Sequence, residues 1–509
     1  MFKGHPKALY ALALANTGER FGYYTMLAVF ALFLRANFGL APGVAGAIYS
    51  TFLGLVYFMP LFGGILADKF GYGKMVTIGI SIMFVGYLLL SLPLGGDMLA
   101  MIAMLGALLF IAVGTGLFKG NLQVMVGNLY DDPHYADKRD SAFSLFYMAI
   151  NIGALFAPTA AVAIKDWAEK SLGFEGNDAY HFSFAVACVA LIVSMVIYYA
   201  CRNWFRHVEG GKSNKVAAVQ VEDNLTPAET KSRIVALCLV FAVVIFFWMA
   251  FHQNGLTLTY FADEFTVKES FGLQSMAFSV WNLVGVIVAV YAAFSTFQSE
   301  SVKGKAFSAV VLVASVGYLL YKGMTVDDAS VAVDAPIFQQ FNPFYVVALT
   351  PVSLAIFGAL AKRGKEPSAP RKIAYGMLVA AVGFAVMAIG SQGLLTPNEQ
   401  AEAIKAGAEA PLVSANWLIM TYLVLTFAEL LLSPMGISFV SKVAPPKYKG
   451  MMMGGWFVAT AIGNMLVSVG GFLWGGISLT VVWSVFIALC LLSALFMFVM
   501  MKRLESATK

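Results

Sequence analysis

Charged side chains are scarce in this chain. Asp, Glu, Lys and Arg together make up 12% of its 509 residues, whereas 60% are hydrophobic and the mean hydropathy is +0.78. Soluble domains usually carry about 25% charged residues. So little charge cannot cover a surface that faces water, and we therefore predict an all-α integral membrane protein whose solvent is the lipid bilayer.

Cysteine is scarce as well. Cys188, Cys201, Cys238 and Cys490 lie in or beside apolar runs without paired spacing, which indicates neither a disulfide framework nor a zinc site. The sequence also lacks a Ser/His/Asp set, a His-rich cluster and a Gly-rich phosphate loop followed by Lys. We therefore predict no enzyme activity, no cofactor, no metal site, no ATP-driven pump and no nucleic-acid partner.

Long apolar runs are what the sequence has in abundance. A run of about 20 residues is long enough to cross the hydrocarbon layer as a helix. Fourteen such spans are predicted, at residues 8–34, 43–67, 74–94, 98–128, 141–164, 180–201, 233–262, 272–298, 305–323, 337–361, 372–392, 413–441, 450–475 and 478–501. An even number of spans places both termini on the same side of the membrane.

The distribution of positive charge predicts which side that is. Most of the 33 Lys and Arg residues fall in the loops and tails that share a side with the N-terminus. Because basic loops stay in the cytoplasm, we predict a multi-pass plasma membrane protein, in a bacterium the inner membrane, with both termini cytoplasmic.

A polar stretch divides the spans into six and eight. We expect a six-helix bundle at 1–202, a cytoplasmic linker at 203–232, the first helix of a second bundle at 233–265, an extra helix pair at 270–324, the remaining five helices at 336–503 and a tail at 504–509. Two related bundles are typical of secondary transporters. The extra pair carries charge only near its ends, so we assign it a peripheral packing role.

Charges inside the spans are the first functional signal. Glu19 and Arg20 are adjacent within the first span, Lys119 lies in the fourth, and Glu429 lies in the span at 413–441. Charge in hydrocarbon is costly and usually marks a substrate or ion pathway. The alternative for Glu19 and Arg20 is a purely structural buried ion pair.

Several motifs resemble known families. The loop Gly63-Gly-Ile-Leu-Ala-Asp-Lys-Phe-Gly-Tyr-Gly-Lys74 resembles the signature loop of the major facilitator superfamily. The chain as a whole is similar to the proton-coupled oligopeptide transporter family. This resemblance rests on the segments 19–24, 114–121, 146–153 and 427–434, with further agreement at Tyr57, Trp248, Gln253–Gly255, Gln340–Pro343 and Gly454–Trp456.

The resemblance implies a major facilitator fold of two six-helix bundles plus two extra helices, with a central cavity that opens alternately to either side. Such a transporter imports di- and tripeptides with protons and works as a monomer. Lys119 and Glu429 would face each other across the cavity and hold the bundles together, and a zwitterionic peptide would compete for that pair with its carboxylate and its ammonium group. Asn151 and Asn342 would hold the peptide termini or backbone. Ser433 would add a polar contact. The resemblance further implies that pockets for the peptide side chains are lined by Tyr24, Tyr57, Tyr147, Trp248 and Trp456. For each aromatic residue taken alone, ordinary core packing is the alternative.

Four positions depart from the family pattern. Asn16 replaces a glutamate, Leu27 an arginine, Ser50 a histidine of some members, and His252 a carboxylate. Losing the arginine and its facing acid together leaves neither charge buried alone. His252 could carry the coupled proton, or it could be a neutral, hydrogen-bonded histidine. The residues assigned to proton coupling and gating are Glu19, Arg20, Lys119, His252 and Glu429. The alternative function is a same-fold importer of another small solute or anion with altered or absent proton coupling.

Overall fold

The computed structural model describes residues 4–210, 225–326 and 329–507. In this part of the chain, fourteen helices are long and apolar enough to cross a membrane, which confirms the predicted number. The predicted linker lies partly outside the described residues. At its N-terminal end lie two short 3-10 turns, Arg202–Trp204 and Arg206–Val208.

The first half consists of long helices joined by short loops. They are α1 (Lys7–Phe38), α2 (Pro42–Phe70), α3 (Tyr72–Leu90), α4 (Met98–Asn128), α5 (Arg139–Leu172) and α6 (Gly176–Ala200), with a 3-10 turn at Ala136–Lys138 before α5. α1 packs against α5 and α6, and α4 packs against α2 and α3.

The second half contains both long and short helices. They are α7 (Pro227–Phe251), α8 (Thr257–Glu264), α9 (Gly272–Ser275), α10 (Val280–Gln298), α11 (Val302–Met324), α12 (Phe341–Lys362), α13 (Ala369–Gly390), α14 (Pro397–Lys405), α15 (Asn416–Val443), α16 (Lys449–Met465), α17 (Ser468–Leu473), α18 (Leu479–Val499) and α19 (Met501–Ser506). Four 3-10 turns lie between them, at His252–Gly255, Met276–Phe278, Ala335–Gln340 and Pro446–Tyr448. Two short antiparallel strands, β1 (Glu269–Ser270) and β2 (Val331–Ala332), pair in the loops.

Side-chain caps explain where several helices begin. The Asp97 carboxylate accepts a hydrogen bond from the Ala100 amide at 2.8 Å and starts α4. Thr226 and Glu229 form a capping box that starts α7 at Pro227, within the segment predicted as linker. Gly39 ends α1 with φ +63°, a left-handed conformation that favours glycine.

Three predicted spans are interrupted, and the run 450–475 is one of them, because α16 ends at Met465 and α17 begins only at Ser468. The run 233–262 was expected to be one helix, but α7 ends at Phe251 and the turn His252–Gly255 separates it from α8. A Cβ at Gly255 would lie 1.9 Å from the Tyr49 hydroxyl, so the glycine permits α2 to approach the break. The predicted start of the span 272–298 was also wrong. Gly272 has φ +57°, and the spanning helix α10 begins only at Val280.

The extra pair lies at the edge of the structure. α10 packs against α11 and α12, and Ser308 is the one buried residue that the structure gives to α11. The rest of the second half packs around α13, which contacts α15 and α18, while α7 contacts α16. The two halves meet where α2 contacts α16 and α17, and where α5 contacts α12 and the turn Ala335–Gln340.

α2 and α4 cross at glycines. A Cβ at Gly63 would lie 2.1 Å from the Gly116 carbonyl oxygen, and the Asn121 side-chain amide donates to the Gly63 carbonyl at 3.2 Å. Backbone lies on both sides of this contact, so no flexible side chain can move away to make room. The close crossing fixes the position of α4, which carries Lys119.

We expect Gly63→Ala to destabilise the protein by about 1–3 kcal/mol, because the added methyl must separate two backbones. The melting temperature of purified protein in detergent measures this. Gly64→Ala is the matched control, since a Cβ there meets nothing within 4 Å. Equal melting temperatures for the two variants would contradict the crossing described here.

Candidate functional site

Glu19 and Arg20 form an ion pair with each other. Arg20 donates from Nε and Nη2 to the two carboxylate oxygens of Glu19, both at 2.5 Å, and the side chains are 2% and 0% exposed. The guanidinium also lies over the Tyr23 ring, 4.5 Å from its centre. This bidentate pairing neutralises both charges inside the first half.

Lys119 is separate from that pair. Its ammonium lies over the Tyr57 ring, 4.4 Å from the ring centre, and the residue is half-buried. Glu19 and Arg20 are close enough for their charges to act on it, with opposite signs. Among the described residues Lys119 forms no ion pair, so its charge is stabilised by an aromatic ring and not by a carboxylate.

Glu429 is held from within its own half. The Asn342 side-chain amide donates to the Glu429 carboxylate at 2.8 Å and to the Thr426 hydroxyl at 3.1 Å. Asn342 stands in the first turn of α12, and the other two residues lie on α15. The expected pairing of Lys119 with Glu429 is not formed in this structure, because each group has found a neutral partner in its own half.

Three tyrosines of the first half lie near the carboxylate of Glu429. Tyr24, Tyr57 and Tyr147 all lie within electrostatic range of Glu429. Tyr147 is 47% exposed, whereas Asn151 is buried and donates to the Tyr147 carbonyl one turn earlier at 3.0 Å. The structure therefore brings these tyrosines near Glu429, while Asn151 is directed to its own helix.

His252 lies at the centre of a second cluster. Its Nδ1 is 2.5 Å from the Asn464 amide oxygen, its ring stacks on Trp248 at 5.1 Å, and the Tyr57 ring centre lies 6.4 Å away. Asn464 is fully buried on α16. The cluster thus joins α7 and α16 to α2 of the other half.

The two remaining predicted residues differ in their surroundings. Trp456 is 3% exposed and packs against α15, where a Cβ at Gly436 would lie 1.9 Å from the indole. Trp456 therefore packs between α15 and α16, as the alternative of ordinary core packing would have it. Ser433 is half-buried one turn after Glu429 on α15.

One end of the interface between the halves is closed by polar contacts that the sequence did not indicate. Arg35 of α1 pairs with Glu264 of α8, which also accepts from the Trp474 indole at 3.0 Å. Other contacts at this end join Thr159 to Gln340 at 3.0 Å and Gln339 to the Ala28 carbonyl at 3.1 Å.

Sequence reasoning missed Arg35, Glu264, Asn464 and Thr426 as members of these clusters. Asn464 carried a usable signal, because an amide inside a predicted span must find a partner in the bundle. Arg35 and Glu264 stand at the ends of spans, where charge is unremarkable, and their pairing depends on how the two halves meet.

We expect Glu19→Gln to destabilise the protein by about 3–5 kcal/mol, because it leaves the Arg20 guanidinium buried without a counter-charge. Chemical or thermal unfolding in detergent measures the loss. The double variant Glu19→Gln/Arg20→Met should recover most of it, since neither charge then remains. A single variant as stable as the unmodified protein would mean that another group neutralises Arg20.

Comparison with known proteins gives a consistent picture. A family profile described as the POT family matches residues 73–226 and 315–471. The chain is 30% identical to the peptide transporter YePEPT of Yersinia enterocolitica, with 91% of this chain and 87% of that protein covered. It is 27% identical to the dipeptide and tripeptide permease A of Citrobacter koseri, over 92% of this chain and 84% of the permease.

Solved structures show the same fold. A peptide transporter POT in complex with sulfate aligns with a TM-score of 0.74 and 23% identity, covering 100% of this chain and 96% of that one. A POT family transporter in complex with 5-aminolevulinic acid aligns with a TM-score of 0.72 and 19% identity, over 100% and 98%. The overall fold of the chain is therefore shared with these transporters.

Proposed function

This multi-pass membrane chain belongs to the POT family and has its major facilitator fold, and we propose that it is a secondary active transporter that imports di- and tripeptides with protons by alternating access. It would work as a monomer in a bacterial inner membrane with both termini in the cytoplasm, as the positive charge of its loops predicts.

The observation that carries the proposal is the separation of Lys119 from Glu429. The two groups lie on opposite halves, and neither neutralises the other. A zwitterionic peptide has a carboxylate that suits the ammonium of Lys119 and an ammonium that suits the carboxylate of Glu429. Binding would then replace a cation–π contact and an amide contact with two charge-assisted hydrogen bonds.

The tyrosines support a peptide as the substrate. Tyr24, Tyr57 and Tyr147 lie near Glu429 and combine an apolar ring with a hydroxyl group. Such side chains can contact varied peptide side chains and still hydrogen-bond to a peptide backbone. We assign Asn151, Asn342, Trp248, Trp456 and Ser433 supporting roles around this site.

Alternating access fits the closed end of the interface. Arg35 and Glu264 join the halves at the end that we place outside the cell, and Tyr147, near the start of α5, is 47% exposed. The structure would then correspond to a state closed to the outside and open to the cytoplasm. The reverse state requires the Arg35–Glu264 contact to break.

A second candidate function is import of another small solute or anion with altered or absent proton coupling. It is favoured by Leu27 and His252, which stand where the family pattern has an arginine and its facing acid. Glu19, Arg20, Lys119, His252 and Glu429 remain our assignment for proton coupling and gating.

Uptake of labelled dialanine into proteoliposomes distinguishes the two functions. With an inward proton gradient, we expect accumulation that unlabelled di- and tripeptides inhibit and free alanine does not. Uptake that ignores the gradient would favour altered coupling. No uptake by folded protein would favour a different substrate.

Lys119→Ala and Glu429→Gln should each reduce dialanine uptake roughly tenfold or more, since each removes a charge-assisted contact worth about 1.5–3 kcal/mol. Lys170→Ala is the control, because Lys170 is 76% exposed and pairs with Asp166 on its own helix. Unchanged uptake in both site variants would contradict the assignment of the peptide termini.

Arg35→Gln should open the closed end more often. Ser50 is 1% exposed and lies one turn from both Gly46 and Gly54, which contact the second half. In a background without the four native cysteines, a Ser50→Cys variant should react faster with an external membrane-impermeant maleimide once Arg35 is replaced. Lys165→Gln is the control, since Lys165 pairs with Glu169 within α5. Equal rates would mean that Arg35 does not hold this end closed.

A further inference from the structure

A row of four side chains crosses the interface between the halves. Asn464 on α16 contacts His252 after α7 at 2.5 Å. The His252 ring lies 6.4 Å from Tyr57 on α2, and Tyr57 lies under the Lys119 ammonium at 4.4 Å. The charge of Lys119 is close enough to act on His252. The row therefore connects the ammonium group of Lys119 with a second basic side chain that can bind a proton.

The orientation of His252 follows from its partner. An amide oxygen only accepts hydrogen bonds, so the Nδ1 atom of His252 carries the proton in its contact with Asn464. In a neutral imidazole, Nε2 is then the atom that binds a further proton. Trp248 stacks on the other side of the ring with an interplanar angle of 21°, an arrangement that also accommodates an imidazolium.

No carboxylate of the described residues faces His252. Tyr57 and Lys119 are the titratable groups that face it from α2 and α4, and Trp248 on α7 and Asn464 on α16 do not titrate. The neighbouring turn adds two tyrosine contacts but no acid: Tyr49 meets Gly255, and the Tyr422 hydroxyl donates to the Asn254 carbonyl.

The carboxylates of the site are committed elsewhere. Glu19 is paired with Arg20 on α1, and Glu429 on α15 accepts from Asn342. The buried donors beside the imidazole add positive character, since Trp248 Nε1 and Asn464 Nδ2 have no acceptor in the described part of the chain. A second cation at His252 is therefore opposed by Lys119 as long as no anion is bound.

We propose that His252, oriented by Asn464, binds a proton at Nε2 together with the binding of a substrate carboxylate at Lys119. This inference rests on the proposed function and specifies how it couples. The carboxylate neutralises Lys119 and removes the charge that opposes protonation of His252. Because such coupling is reciprocal, protonation of His252 strengthens binding of the carboxylate by the same factor.

Asn464 is a positioning residue in this arrangement. It contacts neither proton nor substrate, but its amide oxygen fixes which imidazole nitrogen is free. Asn464→Asp places a permanent carboxylate against Nδ1, so His252 becomes protonated without substrate. This variant should still bind peptide, but the protein should no longer take up a proton when it does so. Loss of packing around His252 would not by itself change the number of protons taken up.

Calorimetry of the full chain in detergent tests the proposal. Dialanine is titrated near pH 7 in buffers of different ionisation enthalpy, which yields the number of protons taken up per bound peptide. We expect uptake approaching about one proton for the unmodified protein. We expect uptake near zero for His252→Gln and for Asn464→Asp, and near zero for dialanine amide, which lacks the carboxylate.

His181→Gln is the matched control. His181 is a second buried histidine, on α6, whose Nδ1 contacts the Leu90 carbonyl at 2.8 Å far from the Lys119 row. It should leave proton uptake unchanged. Unchanged uptake in His252→Gln, with dialanine still bound, would overturn the inference and leave the proposed function standing. Failure of the folded, unmodified protein to bind dialanine would overturn the proposed function and the inference with it.

Discussion

The constraint on which the structure depends is the cost of charge in a low-dielectric interior. Every buried charge must find a partner, and this chain solves the problem locally wherever it can. Glu19 and Arg20 neutralise each other on one helix, and Glu429 accepts a hydrogen bond from Asn342 in its own half. Lys119 lies over the Tyr57 ring and forms no ion pair among the described residues, which leaves it open to an incoming anion.

Local neutralisation has a mechanical consequence. Strong pairing across the middle of the interface would join the halves and resist their relative movement. The structure instead places its cross-interface ion pair, Arg35 with Glu264, at one end of the helices. Contacts at an end can break without exposing unpaired charge in the membrane interior, since the freed groups reach water. The site and the closure are thus separate parts of the fold.

Much of this organisation could be predicted from the sequence. Apolar run length gave all fourteen spans, and the buried charges of Glu19, Arg20, Lys119 and Glu429 marked the site. The partners of those charges could not be predicted. Adjacent residues on a helix seldom face each other, so the pairing of Glu19 with Arg20 depends on the packing around α1. The helix break after Phe251 was also not predicted, because a pattern of hydropathy does not reveal the turn that Gly255 permits.

Composition and periodicity by themselves determined that the protein lies in a lipid bilayer, its class of fold and the number of its spans. The reason is that hydrocarbon accepts only long apolar helices whose backbone groups hydrogen-bond within the helix. The tertiary structure alone decided which charges pair, which end of the interface is closed, and that Asn464 meets His252 from a helix more than two hundred residues away in sequence. Those outcomes depend on distances of a few ångströms between helices, and such distances are set by close packing at positions such as Gly63 and Gly116.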